Sequence, residues 1–288
     1  MTALSALTRP ARPPAAETPL ERPRLDLSGE PLQAALKGMI AGAEQLGGVE
    51  RYVEALKLKA QLYADAFAGG AQQLDRQAFL QLCAFMPTVR RRVAVYVDEA
   101  GFAEMREGLA RLIDGDALTS DARIAAFCAR YRQDREHRFV RDIAAETLHN
   151  LHPEIYPLMT RWVWDAKANT GVLREIWHGA SDSERLEVPD TYATFLMLRE
   201  ELSQYLTENG VFRDVLFYVD LLTAQVYADY ISSQGGAYLR TDFTAAEDPM
   251  QHTRRMLGLD GVRPGSNRTR LKAIDGEAFV IEDIKLLS

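Results

Sequence analysis

The 288-residue chain has two cysteines, Cys83 and Cys128, six lysines, and no C-x-x-C pair. Both cysteines stand in apolar runs, "FLQLCAFM" and "RIAAFCARY", without the Cys/His spacing of a zinc site, which predicts free, buried thiols in a reducing compartment. The N-terminal stretch lacks the apolar segment of a signal peptide. No later run reaches the roughly 18 apolar residues of a membrane span. A cytoplasmic protein that does not enter membranes is therefore expected. Also missing are a phosphate-binding glycine loop, a catalytic-triad spacing and a dinucleotide fingerprint. Their absence moves the expectation away from catalysis and toward an accessory, assembly or regulatory protein acting through contacts with another protein or with itself.

Positive charge is scarce. A net charge of −7 argues against a surface for non-specific nucleic-acid binding, because that mode neutralises phosphates with clustered Lys and Arg. The basic residues are mainly arginine, which suits bidentate pairing with carboxylates and is also what a GC-rich bacterial genome produces. Composition is otherwise that of a folded globular protein, with 47% hydrophobic residues.

Convincing β alternation is absent before residue 270, and no repeat of fixed period is found. What is present is apolar residues at three- and four-residue spacing, punctuated by Gly47-Gly48, Gly69-Gly70 and Asn209-Gly210. This predicts an all-α fold: a compact multi-helix domain over residues 30–234. Helices are expected over Arg135 to Asn150, Ile155 to Ala168, Val172 to His178, Asp190 to Thr207 and Val211 to Ser233, with Ser120 and Asp121 as N-caps of an earlier one. Residues 1–29, with five prolines in the first twenty-three positions, read as a disordered Pro/Ala-rich leader. Residues 235–288 read as a C-terminal extension that docks on the body or a partner, with a possible short β-hairpin in its last twenty residues.

The stretch Ala144 to Gly179 holds three of five histidines and all three tryptophans. Glu146-Thr-Leu-His149 and Glu175-Ile-Trp-His178 are both E-x-x-H, a spacing that puts a carboxylate and an imidazole on one helix face. Two such pairs, with further carboxylates, hold iron or manganese in di-iron bundles, so a metal-dependent oxidative enzyme is one alternative. Against it stands simple packing, with Glu146 and Glu175 paired to Arg141, Arg161 or Arg174 and His149 closing its helix. In that case no cofactor is needed.

Tyr156, Trp162, Trp164 and Trp177 form an aromatic group of the residue types enriched at interface hot spots, and are the expected contact surface. Asp220, set in "LFYVDLL", must pair or shift its pKa, and would anchor a small apolar ligand if the chain is a ligand-binding module. Over fewer than twenty residues, "TLHNLHPEIYPLMTRWV" resembles the segment after the hairpin of helix-hairpin-helix DNA glycosylases. The glycine-rich hairpin and the matching aspartate of that family are absent, so no residue role is carried over.

Overall fold

Ten α-helices, two short 3-10 helices (Ala71–Gln73 and Val93–Tyr96) and two isolated β-bridges make up the regular structure in the described residues. These residues are 22–115, 118–179, 184–234 and 249–260 of a computed structural model. The helices are α1 Gly29–Glu44, α2 Glu50–Ala66, α3 Arg76–Ala84, α4 Glu99–Asp114, α5 Ser120–Ala129, α6 Phe139–Leu151, α7 Val172–Glu175, α8 Tyr192–Glu208, α9 Val215–Gln234 and α10 Gln251–Met256. The all-α expectation holds. Among the described residues, no helix is long and apolar enough to cross a membrane.

The periodicity does what it predicts in the first half. On α1 the buried residues include Leu32, Ala35, Leu36, Met39 and Ala43, and on α4 Phe102, Met105, Leu109 and Leu112, at helical spacing along one side. Caps set the starts. Asp75 accepts from the amide of Ala78 at 2.8 Å, and Asp98 from that of Gly101 at 2.7 Å. For α5 the capping side chain is Thr119, one residue before the expected Ser120, and it accepts from Ala122.

Two helices are central. α9 packs on α1, α2, α7, α8 and α10, which explains why its apolar residues run around the whole circumference. α6 packs on α2, α4 and α5, and eleven of its thirteen residues are buried. These two helices carry the polar groups considered below.

The expected helix Ile155 to Ala168 does not form. Pro157 offers no amide to a helical ladder, and the carbonyls of Trp162 and Val163 instead accept from Val172 and Leu173, both at 3.1 Å. The segment therefore folds back on itself. Gly171 makes the return possible: its φ is +125°, and a Cβ there would stand 2.7 Å from the carbonyl oxygen of Val163.

Residues 22–28, part of the expected leader, lie against the helical body. Residues 22–28 are extended along 176–178, with Leu27 bridged to Trp177, the Ser28 amide donating to Ile176 at 2.7 Å and the His178 amide donating to Asp26 at 2.8 Å. Residues 1–21 lie outside the described residues, as does the expected hairpin near the C-terminus. Of the C-terminal extension, residues 249–260 are described, and they pack on the body through Met250, Leu257 and Leu259, all buried.

Candidate functional site

Three acidic or basic side chains of α6 form a buried stripe at positions 142, 146 and 149, the i, i+4, i+7 spacing of one helix face. Each is tied to a different part of the chain. Asp142 accepts from the backbone amide of Arg161 at 3.1 Å and from its guanidinium at 2.9 Å. Glu146 accepts from Lys59 of α2 at 2.9 Å, both side chains being 3% exposed, and from the amide group of Asn150 at 3.0 Å. The same Lys59 donates to the carbonyl of Leu257 at 3.0 Å, which ties α2 and α6 to the C-terminal segment.

His149 is held at both nitrogens. Nδ1 lies 2.9 Å from the carbonyl oxygen of Tyr156 and Nε2 2.9 Å from Oδ2 of Asp220 on α9. Burial works against a charge on this imidazole, but the Asp220 carboxylate, the hydrogen bond to it and the Tyr156 carbonyl outweigh burial and raise its pKa above the ordinary value.

The described residues do not gather the two E-x-x-H pairs into one metal-holding group. Glu146 is engaged by Lys59 and His149 has no ring nitrogen to spare, whereas His178 is exposed, three residues past the end of the four-residue α7. Helical spacing put each pair on one face but said nothing of what that face meets. Among the described residues, no group of three His, Cys, Asp or Glu side chains is placed to hold a metal ion. The arginines expected on Glu146 go elsewhere: Arg161 to Asp142 and Arg141 to Asp190.

The aromatic contact surface is likewise corrected. Tyr156 and Trp164 are 1% and 0% exposed, and Trp162 is buried against Tyr227 with ring centres 5.8 Å apart. Their polar ends are satisfied internally. Trp164 Nε1 donates to the carbonyl of Val188 at 3.0 Å, and the Tyr156 hydroxyl accepts from Arg123 at 2.7 Å. Trp177 is half-buried and bridged to Leu27. The Asp220 carboxylate, expected as a ligand anchor, meets His149, and the cavity beside it holds about 20 Å³, room for roughly one water.

A different feature has the size of a ligand site. A cleft of about 660 Å³ opens between α5, the turn 132–138, the start of α6 and the loops at 161–167 and 190–191. One wall is a face of α5, with Asp121, Ile124, Ala125 and Cys128 at i, i+3, i+4, i+7. Six basic residues border it: Arg132, Arg135, Arg138, Arg141, Arg161 and Lys167. Four aspartates, Asp121, Asp134, Asp165 and Asp190, leave the lining a surplus of two positive charges in a chain of net charge −7.

Three of the arginines are braced. Arg138 pairs with Asp165, Arg141 with Asp190, whose carbonyl it also meets at 2.8 Å, and Arg161 with Asp142. Cys128 offers no nucleophile here, since burial pushes its thiol up to about 11. The signal for this cleft in the sequence is arginine at every third position, 132, 135, 138 and 141. It runs through a turn into α6, so no amphipathic pattern marks it.

No family model matches the chain, and neither a curated protein nor a solved structure does.

Proposed function

We propose that this chain is a cytoplasmic accessory or regulatory protein whose helical body is a binding module, seating a small anionic molecule in the arginine-lined cleft between α5 and α6. The observation that carries this reading is the cleft itself. It has the volume of a small-molecule site, an apolar α5 wall, and a positive surplus in an acidic chain. Bracing of Arg138, Arg141 and Arg161 by carboxylates supports it further, because these struts fix the walls of the cleft before a ligand arrives. Protein contacts through the aromatic group lack this support, since Tyr156, Trp162 and Trp164 are buried.

Ala125 is exposed and borders the cleft, so Ala125→Trp fills the space without disturbing the core. Native mass spectrometry of the chain purified from cells, or soaked with a panel of organic anions, should show a bound small molecule that this variant loses. Equal occupancy in the wild type and in Ala125→Trp would remove the cleft from the reading.

A further inference from the structure

Within the cleft, the cations divide into those already satisfied and those that are not. Arg138, Arg141 and Arg161 are consumed in holding the walls together, and Arg132 pairs with Asp134 at 3.2 Å. Arg135 and Lys167 remain. Both are exposed, both border the cleft, and neither forms an ion pair among the described residues. They flank the same strut: Arg135 lies three residues before Arg138 and Lys167 two residues after Asp165, the pair that ties the turn to the loop.

Resting on the binding role proposed above, we infer that the ligand is a phosphate monoester of a small apolar group, its phosphate held by Arg135 and Lys167 and its apolar part laid on the α5 wall. The charge fits. Two unpaired cations match an ester phosphate, which carries about −1.5 to −2 at neutral pH. The types fit as well, because a guanidinium takes two phosphate oxygens side by side while an ammonium acts as a point charge on the third. Ile124 and Ala125 of α5, with Val140 of α6, line the cleft and give the apolar part its surface. Two free cations are too few for a nucleic-acid backbone, whose binding neutralises many phosphates at once.

Calorimetric titration at fixed ionic strength tests this with three probes: phenyl phosphate, phenylmalonate and inorganic phosphate. Phenyl phosphate should bind about tenfold more tightly than either of the others, and the combined Arg135→Ala, Lys167→Ala variant should weaken it by at least about tenfold. Ala125→Trp should remove the advantage of the phenyl group. Because Arg135, Lys167 and Ala125 are exposed, these variants should melt as the wild type does. Phenylmalonate binding as well as or better than phenyl phosphate, with the same loss in the variants, would overturn the phosphate assignment and leave the cleft as an anion site. Phenyl phosphate binding that is indifferent to Arg135 and Lys167 would overturn it too. If no probe binds and no molecule occupies the cleft in the wild-type chain, the binding role falls together with its ligand.

Discussion

His149 and Asp220 share a proton inside the protein, 2.9 Å apart, while the other ring nitrogen of His149 faces the Tyr156 carbonyl. A carbonyl only accepts, so Nδ1 must carry a hydrogen, and the remaining proton sits between Nε2 and the carboxylate. This hydrogen-bonded pair joins α6 to α9, the two helices around which the others pack.

That arrangement has a pH signature. The folded-state pKa of His149 is raised by Asp220, against the opposing effect of burial. A raised value means that the stabilisation is fully present below the unfolded value, about 6.5, and is lost as pH rises through the folded value. Between those two values, stability relative to His149→Gln should fall with rising pH, with a slope approaching about 1.4 kcal/mol per pH unit, one proton's worth. Urea unfolding of both proteins across pH 6 to 9 measures the difference. A difference that stays flat or grows with pH would mean that His149 is neutral in the folded chain.

Lys59 and Glu146 are each 3% exposed, and removing either leaves the other charged without water. Lys59→Met should therefore cost about 3–5 kcal/mol, the penalty of an orphaned buried charge. Removing both charges, in Lys59→Met with Glu146→Leu, should restore a substantial part of that loss, with a coupling of at least about 1 kcal/mol. Chemical denaturation of the two single variants and the double closes the cycle. Additive losses would show that the pair is not coupled as the geometry implies.

The partners explain which parts of this site could be read from sequence. Glu146 and His149 belong on one face of α6 by spacing alone, but Lys59 is 87 residues from Glu146 and Asp220 is 71 from His149, with no local pattern linking them. The spacing therefore looks the same for a metal site as for two buried ion pairs. Residues 155–168 misled for a related reason: their apolar density suits a helix, yet it arises because this irregular segment is itself core, with Trp164 fully buried. Stripes such as Leu32 to Ala43 on α1 were legible because one helix face and one core suffice to define them. The cleft was not, because its walls come from five stretches between Asp121 and Thr191.

The last prediction concerns the segment 249–260, which is fastened by buried polar contacts at three points. Lys59 reaches the Leu257 carbonyl, Arg90 meets Asp260 at 2.8 Å, and the Thr253 hydroxyl donates to Gln225 of α9 at 2.7 Å. Between these points lies Gly258, with φ of +74° at the end of α10. A Cβ there would fall 1.7 Å from the carbonyl oxygen of Phe85, a backbone atom that cannot swing aside as a side-chain tip would. Alanine also pays the cost of the left-handed conformation, of order 1 kcal/mol or more. Gly258→Ala should therefore detach the segment before it unfolds the body, because the helices on which it lies keep their own packing. Hydrogen exchange reads this directly. Amides of residues 251–259 should lose protection in the variant, while those of α6, buried against α2, α4 and α5, should keep theirs. Equal loss in both places would show that the C-terminal segment and the core open as one unit, and that Lys59 joins them tightly enough to make them inseparable.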